Sequence, residues 1–112
     1  MRTYDQKMAE QAFKCVQPRA NDKEYNSFAQ SFPSLIHSCG LAQAVSFAEA
    51  KKRADYLLDL NSVLGVIREE AVDLPYASRM AEVVDYIRLT RHAISAASWL
   101  KRYVQALEKE VT

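Results

Sequence analysis

Glycine and proline are scarce in this sequence of 112 residues, which has two glycines and three prolines. An all-β domain needs many tight turns, and tight turns depend on these two residue types, so their scarcity argues against a β fold. The chain also lacks any run of about 18 apolar residues, the length that a membrane-spanning helix needs. Its first residues, MRTYDQKMAE, have no apolar signal core. We therefore expect a soluble, cytoplasmic protein.

Cysteine and net charge are also low. Cys15 and Cys39 are too few for a disulfide framework, and we expect both to be buried free thiols. Lys and Arg total 15 against 14 Asp and Glu, which gives a formal net charge of +1. A domain that binds nucleic acid by itself is usually more basic. Any such contact must therefore come from a local row of charges, or from a groove shared with a partner.

Apolar residues, by contrast, make up 49% of the chain and recur with helical spacing. Intervals of three and four predict helices over about 2–17, 22–32, 34–39, 41–67 and 79–109, with an unmarked junction near 51–54. Residues 68–78 are predicted to be a connection, with room for one helical turn. The length fits one domain, residues 1–112. The predicted fold class is all-α, a compact bundle of about five or six helices.

Two residues are predicted to break the helices in the first half of the chain. Pro33 suits the first turn of a new helix and disfavours a helical conformation at Phe32. Gly40 suits a helix end with positive φ, and its replacement by Val is expected to cost roughly 1–2 kcal/mol. Asn21 and Glu24 have the spacing of a capping box at the start of the second helix.

Nothing in the sequence has the pattern of a catalytic or metal site. His37 and His92 have no second ligand three or four residues away, and no glycine-rich phosphate loop occurs. The carboxylates lie among lysines and arginines, as on a solvated surface. We therefore expect a protein that is not an enzyme and holds no metal or cofactor.

The last predicted helix has a row of basic and hydroxyl or amide residues along one side. At about 100° per residue these positions share a narrow stripe, here called the arginine stripe: Arg88, Arg91, Ser95, Ser98, Arg102, Gln105 and Lys109. The stripe contains no acid. Its cations would suit phosphates spaced along a strand, or they would be long side chains that cover an apolar seam. Spacing alone leaves both interpretations open.

Two blocks of the sequence resemble a known family. They are SFPSLIHSCGLAQAVSFAEAK, residues 31–51, and YIRLTRHAISAASWLKRYVQAL, residues 86–107. Together they resemble the small helical subunit, the fifth protein of the Cmr module, of the type III-B CRISPR effector. The resemblance implies a non-catalytic structural subunit that works in antiviral defence. It also implies partners: other Cmr subunits, copies of itself in a filament, and the guide and target RNA that the complex holds.

With this resemblance, two basic features become candidates for RNA backbone contacts. One is the basic corner, defined as Lys51, Lys52 and Arg53, which turns at Pro33 and Gly40 would expose. The other is the set of cations in the arginine stripe: Arg88, Arg91, Arg102 and Lys109. Trp99 is predicted to contact the core or a protein partner rather than to stack on a base, and Lys101 to face a protein partner. We expect the isolated chain to bind RNA weakly and without sequence preference.

A purely protein-binding helical adaptor, with no nucleic-acid contact, is the alternative function. The acid-free arginine stripe discriminates between the two, since an adaptor has no need of it.

Overall fold

Six α-helices make up the part of the chain that the computed structural model describes, which is the backbone of residues 3–111 and the side chains of residues 3–108. In chain order they are α1 (Tyr4–Val16), α2 (Lys23–Cys39), α3 (Leu41–Ala50), α4 (Ala54–Arg68), α5 (Leu74–Met80) and α6 (Val83–Val111), with a short 3-10 turn at Gln17–Arg19. The same residues contain no strand. The prediction of an all-α bundle is confirmed.

α6 lies at the centre of the helix packing. It contacts α1, α2 and α4, while α3 packs against α2 and α5. The molecule measures 43 × 39 × 21 Å, and its smallest dimension equals about two helix diameters of roughly 10–12 Å each. Side chains such as Met8, Phe32, Val45, Leu60 and Leu100 are fully buried where these helices meet. The core therefore draws on helices from both halves of the chain.

The starts of α1 and α2 are fixed by side-chain caps. Thr3 and Gln6 form a capping box, in which each side chain accepts a hydrogen bond from the other residue's backbone N–H. α2 begins at Asp22, whose carboxylate accepts from the N–H of Tyr25 at 3.1 Å. The predicted cap at Asn21 is therefore wrong by one residue. The 3-10 turn ends at Arg19, and Asp22, which has extended backbone, is the N-cap.

Pro33 does not break the chain, and the predicted helix boundary there is wrong. α2 runs without interruption through Pro33 to Cys39. A proline inside a helix costs about 3 kcal/mol. Phe32 and Ile36, on either side of it, are almost fully buried, and burying each such side chain contributes roughly 1.5–3 kcal/mol. Packing of the buried face outweighs the local preference of proline.

Gly40 does separate two helices, as predicted, and its φ is +85°. Its ψ of 162° places it outside the left-handed helical region, in an extended region that is essentially confined to glycine. The Gly40 N–H donates to Ile36 O at the end of α2, and its carbonyl accepts from Ala44 in the first turn of α3. The hydroxyl of Tyr86 on α6 accepts from the N–H of Ala42. The turn is thereby attached to the central helix.

The junction between α3 and α4 contains neither glycine nor proline. It is a Schellman turn, in which the Arg53 N–H donates to Ala48 O and the Lys52 N–H donates to Glu49 O. Lys52 occupies the position that glycine usually takes, with φ of +58°. The helix break that was expected near residues 51–54 is thus present.

The second half of the chain departs from prediction at one boundary. Residues expected to form a connection contribute α5, which Asp73 caps by accepting from the N–H of Tyr76. α6 then starts at Val83 rather than Arg79, because Ala81 is extended and ends α5. The cysteines also differ from expectation. Both are free thiols, but Cys15 is half-buried and Cys39, the last residue of α2, is exposed.

Candidate nucleic-acid interface

The arginine stripe lies along the solvent-facing side of α6. Arg88, Arg91, Ser95, Arg102 and Gln105 are exposed and Ser98 is half-buried, while the opposite side of the helix packs into the core. Arg88 and Arg102 are 14 positions apart on one helix, or about 21 Å at 1.5 Å per residue. That is the length of roughly six stacked nucleotides at about 3.4 Å each. Lys109, the last predicted member, lies outside the side chains that the structure describes.

The arginines of the stripe differ from the other arginines in their partners. Outside the stripe, every arginine with a described side chain has an acid within 4.0 Å: Arg19 with Asp59, Arg53 with Glu24 and Asp55, Arg68 with Glu70 and Asp85, and Arg79 with Glu49. Among the described side chains, no acid lies within that distance of Arg88, Arg91 or Arg102. In this part of the chain the stripe is thus a row of cations with no acid to neutralise it.

Trp99 is part of an aromatic row that begins beside the stripe. The Arg102 guanidinium lies 5.1 Å from the centre of the Trp99 ring, whose plane is nearly parallel to that of Tyr103 at 6.0 Å. Phe13 of α1 meets Tyr103 edge-on. Trp99 and Lys101 are both half-buried. Tyr103 therefore joins α6 to α1 while Trp99 packs against Tyr103, and the predicted partner contact of Trp99 and Lys101 stays a prediction.

The basic corner lies at the α3–α4 junction, and its three residues differ in environment. Lys51 and Lys52 are exposed, and the Lys51 ammonium lies 5.5 Å from the centre of the Phe47 ring. Arg53 is only 21% exposed and lies 3.8 Å from both Glu24 and Asp55. The two lysines are therefore the cations of the corner that are available to a phosphate. Arg53 is largely occupied in joining α4 to α2.

The fold aligns the stripe residues along α6, and it places the basic corner at the end of α3. Tyr86, at the start of α6, contacts Ala42 at the start of α3. The corner follows the other end of α3, about 15 Å along that helix. The basic corner therefore does not lie beside the start of the stripe.

Sequence reasoning missed an exposed apolar surface where α5 meets α6. This apolar patch consists of five side chains that are 49–75% exposed: Tyr76, Met80, Val83, Val84 and Ile87. Its signal was present in the sequence, because apolar residues occupy positions on both sides of the predicted helix start. Assigning 68–78 to a connection concealed it.

The two histidines lie in different surroundings. His37 is exposed near the end of α2, and His92 on α6 has its Nδ1 3.3 Å from the Arg68 guanidinium, which also pairs with Asp85. Burial and the positive charge of Arg68 lower the pKa of His92 below its ordinary value. Among the described residues, no group of three His, Cys, Asp or Glu side chains could hold a metal ion. In residues 3–111 no helix is both long and apolar enough to cross a membrane.

Comparison with known proteins defines the class. A family model described as CRISPR-associated protein (Cas_Cmr5) matches residues 4–107, so the chain belongs to this family. It is 39% identical to the CRISPR system Cmr subunit Cmr5 of Thermus thermophilus, over 98% of this chain and 100% of that protein. The crystal structure of a CRISPR-associated Cmr5 family protein from the same species superposes with a TM-score of 0.82 at 37% identity, covering 95% of this chain and 98% of that one. The family resemblance of the two sequence blocks is confirmed.

Proposed function

We propose that this protein is a non-catalytic structural subunit of a type III-B CRISPR Cmr ribonucleoprotein effector in antiviral defence. Copies of it stack into a filament of small subunits, and the filament holds target RNA against the guide RNA that backbone subunits carry. The relative in T. thermophilus, named as a Cmr subunit and 39% identical over 98% of this chain, supports membership of such a complex. Support for the RNA-holding role comes from the surface of α6.

The single observation that carries the RNA-holding role is the contrast between two groups of arginines. Among the described side chains, those outside the stripe pair with acids, whereas Arg88, Arg91 and Arg102 do not. An unpaired cation can neutralise a phosphate and release its counterion, which is the main source of affinity for nucleic-acid backbones. A row of cations spaced along one helix matches the spacing of a backbone rather than the edge of one base, so it suits binding that is independent of sequence.

The low net charge fits a subunit that forms one wall of a groove. With a net charge of +1, the free chain has little long-range attraction for RNA, and its useful charge is confined to α6 and the basic corner. Strong binding then needs the opposite wall, which the backbone subunits supply. We assign the chain no reaction of its own, and no cofactor.

The apolar patch supports the assembly part of the proposal. Exposed apolar surface of this kind marks protein contacts. Ile87 of the patch is followed directly by Arg88 of the stripe, so a neighbour docked here would extend the row of cations from one molecule to the next. We therefore assign the patch to contact with a neighbouring copy.

The RNA-holding role is tested in the reconstituted complex with the double variant Arg88→Gln/Arg91→Gln. We expect weaker target binding, with the slope of log affinity against log salt flatter by about 0.7 for each lost phosphate contact. Guide loading should stay unchanged. The matched control is Lys7→Gln/Lys14→Gln, which removes the same charge from exposed positions on α1.

Unchanged affinity and salt slope in a complex that assembles normally would remove the RNA-holding role. The chain would then be a protein-binding adaptor, the function that the apolar patch by itself favours. The stacking role has a separate test in Val84→Asp, at a side chain that is 72% exposed. We expect fewer copies per complex by native mass spectrometry, with an unchanged melting temperature of the free chain.

A further inference from the structure

A groove lies between the first half of α2 and the last turn of α3. This α2–α3 groove has a volume of about 450 Å³ and is open to solvent, a size typical of small-ligand sites. Two phenylalanines, here called its floor, line it together with charged and hydroxyl side chains of α2 and of the α3–α4 junction, here called its rim. It adjoins the basic corner, because Lys51 and Arg53 line it.

The floor offers an exposed aromatic surface. The rings of Phe28 and Phe47 lie nearly parallel, 6° apart, with their centres separated by 6.3 Å. Phe28 is half-buried against the core, whereas Phe47 is 44% exposed. An exposed ring that is held by another ring is a rigid platform for stacking, and stacking of a base on such a ring tolerates any base.

The rim is positively charged. Lys23, Lys51 and Arg53 stand against one acid, Glu24, and that acid lies 3.8 Å from Arg53. Among the described side chains, neither Lys23 nor Lys51 has an acid within 4.0 Å. The Lys51 ammonium lies over the Phe47 ring, 5.5 Å from its centre, so a base that stacks on this face would take its place and leave the ammonium free for the attached phosphate. The groove is thus complementary to a ligand that is planar at one end and anionic at the other.

We propose that the α2–α3 groove binds one unpaired nucleotide of single-stranded RNA, with its base on Phe47 and its phosphate between Lys51 and Lys23. The proposal rests on the proposed function in that it takes RNA as the ligand, but it concerns a site apart from the arginine stripe. The stripe contacts backbone alone, whereas the groove takes hold of a base.

The first test is a titration of the isotope-labelled chain by NMR with AMP, UMP and inorganic phosphate. We expect both nucleotides to shift the amides of Phe28, Phe47 and Lys51, with AMP the stronger because its base has the larger face. Phosphate should affect Lys51 and leave the Phe28 and Phe47 signals in place. Absence of shifts in the groove up to millimolar nucleotide, or the same shifts with phosphate, would overturn the proposal.

The second test separates bases from phosphates. Phe47→Leu keeps an apolar side chain and removes the stacking face, and Phe47→Trp keeps the face. We expect Phe47→Leu to weaken binding of a labelled oligoadenylate about five-fold or more, the loss of one stacked base. An abasic strand of equal length should bind the wild type and the Leu variant equally, and Phe47→Trp should bind as the wild type does.

The outcomes for the groove and the stripe are distinguishable. Arg88→Gln/Arg91→Gln should weaken the intact and abasic strands alike, whereas Phe47→Leu should weaken only the intact one. If Phe47→Leu changes neither strand while the arginine variant changes both, the groove is not a base site and the proposed function stands. Tighter binding of a phosphotyrosine peptide than of the oligonucleotide would assign the groove to a protein ligand instead.

Discussion

Gly40 holds a backbone conformation that we expect other residues to adopt only at a cost. Its φ of +85° and ψ of 162° lie in a region essentially confined to glycine. Space is not the constraint, since a Cβ at this position would meet nothing nearer than the Tyr86 hydroxyl at 3.8 Å. Gly40→Ala therefore isolates the backbone strain. We expect it to lower the free energy of unfolding by about 1–3 kcal/mol.

The measurement is urea unfolding followed by far-ultraviolet circular dichroism, supported by thermal melting. In a domain of this size each kcal/mol shifts the melting temperature by roughly 4 °C, so a fall of about 4–12 °C should accompany the substitution. Gly40→Asn is the matched control. Asn tolerates the left-handed helical region but not the extended region seen here, so it should not restore stability. An Ala variant within about 0.5 kcal/mol of the wild type would refute the reasoning.

Three further predictions concern the rest of the fold. Lys52→Gly should stabilise the chain by roughly 0.5–1 kcal/mol in urea unfolding, because glycine removes the cost of a positive φ at the α3 end, whereas Lys52→Ala should not. Burial and Arg68 lower the pKa of His92; the stability that the neutral imidazole contributes is therefore fully present above its ordinary pKa of about 6.5 and is lost as the pH falls from there through the lowered pKa. His92→Gln should accordingly flatten the fall of melting temperature between about pH 7 and pH 5. Asp59 is buried and accepts a hydrogen bond from the Tyr25 hydroxyl. Because Asp59→Ala leaves that hydroxyl unpaired, it should lower the free energy of unfolding by about 1–3 kcal/mol in the same urea assay. A stability equal to that of the wild type would contradict this prediction.

The buried faces of the helices are predictable because burial leaves a periodic record in the sequence. Leu41, Ala44, Val45 and Ala48 recur at intervals of three and four, and all four are buried. The same rule places the arginine stripe on one side of α6. Local chemistry also predicts the positive φ of Gly40, because few residues other than glycine readily take a positive φ where one helix ends and the next begins.

Pro33 and Arg53 show where local information ends. Pro33 is a helix breaker by itself, but the packing that retains it involves side chains from distant parts of the chain. Arg53 looks like part of a basic run, yet Glu24 of another helix lies 3.8 Å from it. Whether an arginine is free or paired depends on such tertiary neighbours. The sequence therefore predicts where the stripe lies. It does not predict that the arginines of the stripe, unlike the other described arginines, have no described acid within 4.0 Å.

The continuity of α6 bears on how quickly a strand is captured. α6 is one helix of 29 residues, about 43 Å long, and charges fixed on such a rod need no rearrangement when a strand approaches. Their field reaches about 8 Å into a solution of physiological ionic strength, so in the proposed RNA-holding role Arg88 and Arg91 would act before contact and raise the association rate. In the nucleotide site proposed for the α2–α3 groove, stacking on Phe47 would act only after contact and would govern the dissociation rate. Salt should therefore slow the capture of a strand, and it should shorten residence in the α2–α3 groove only through the phosphate between Lys23 and Lys51.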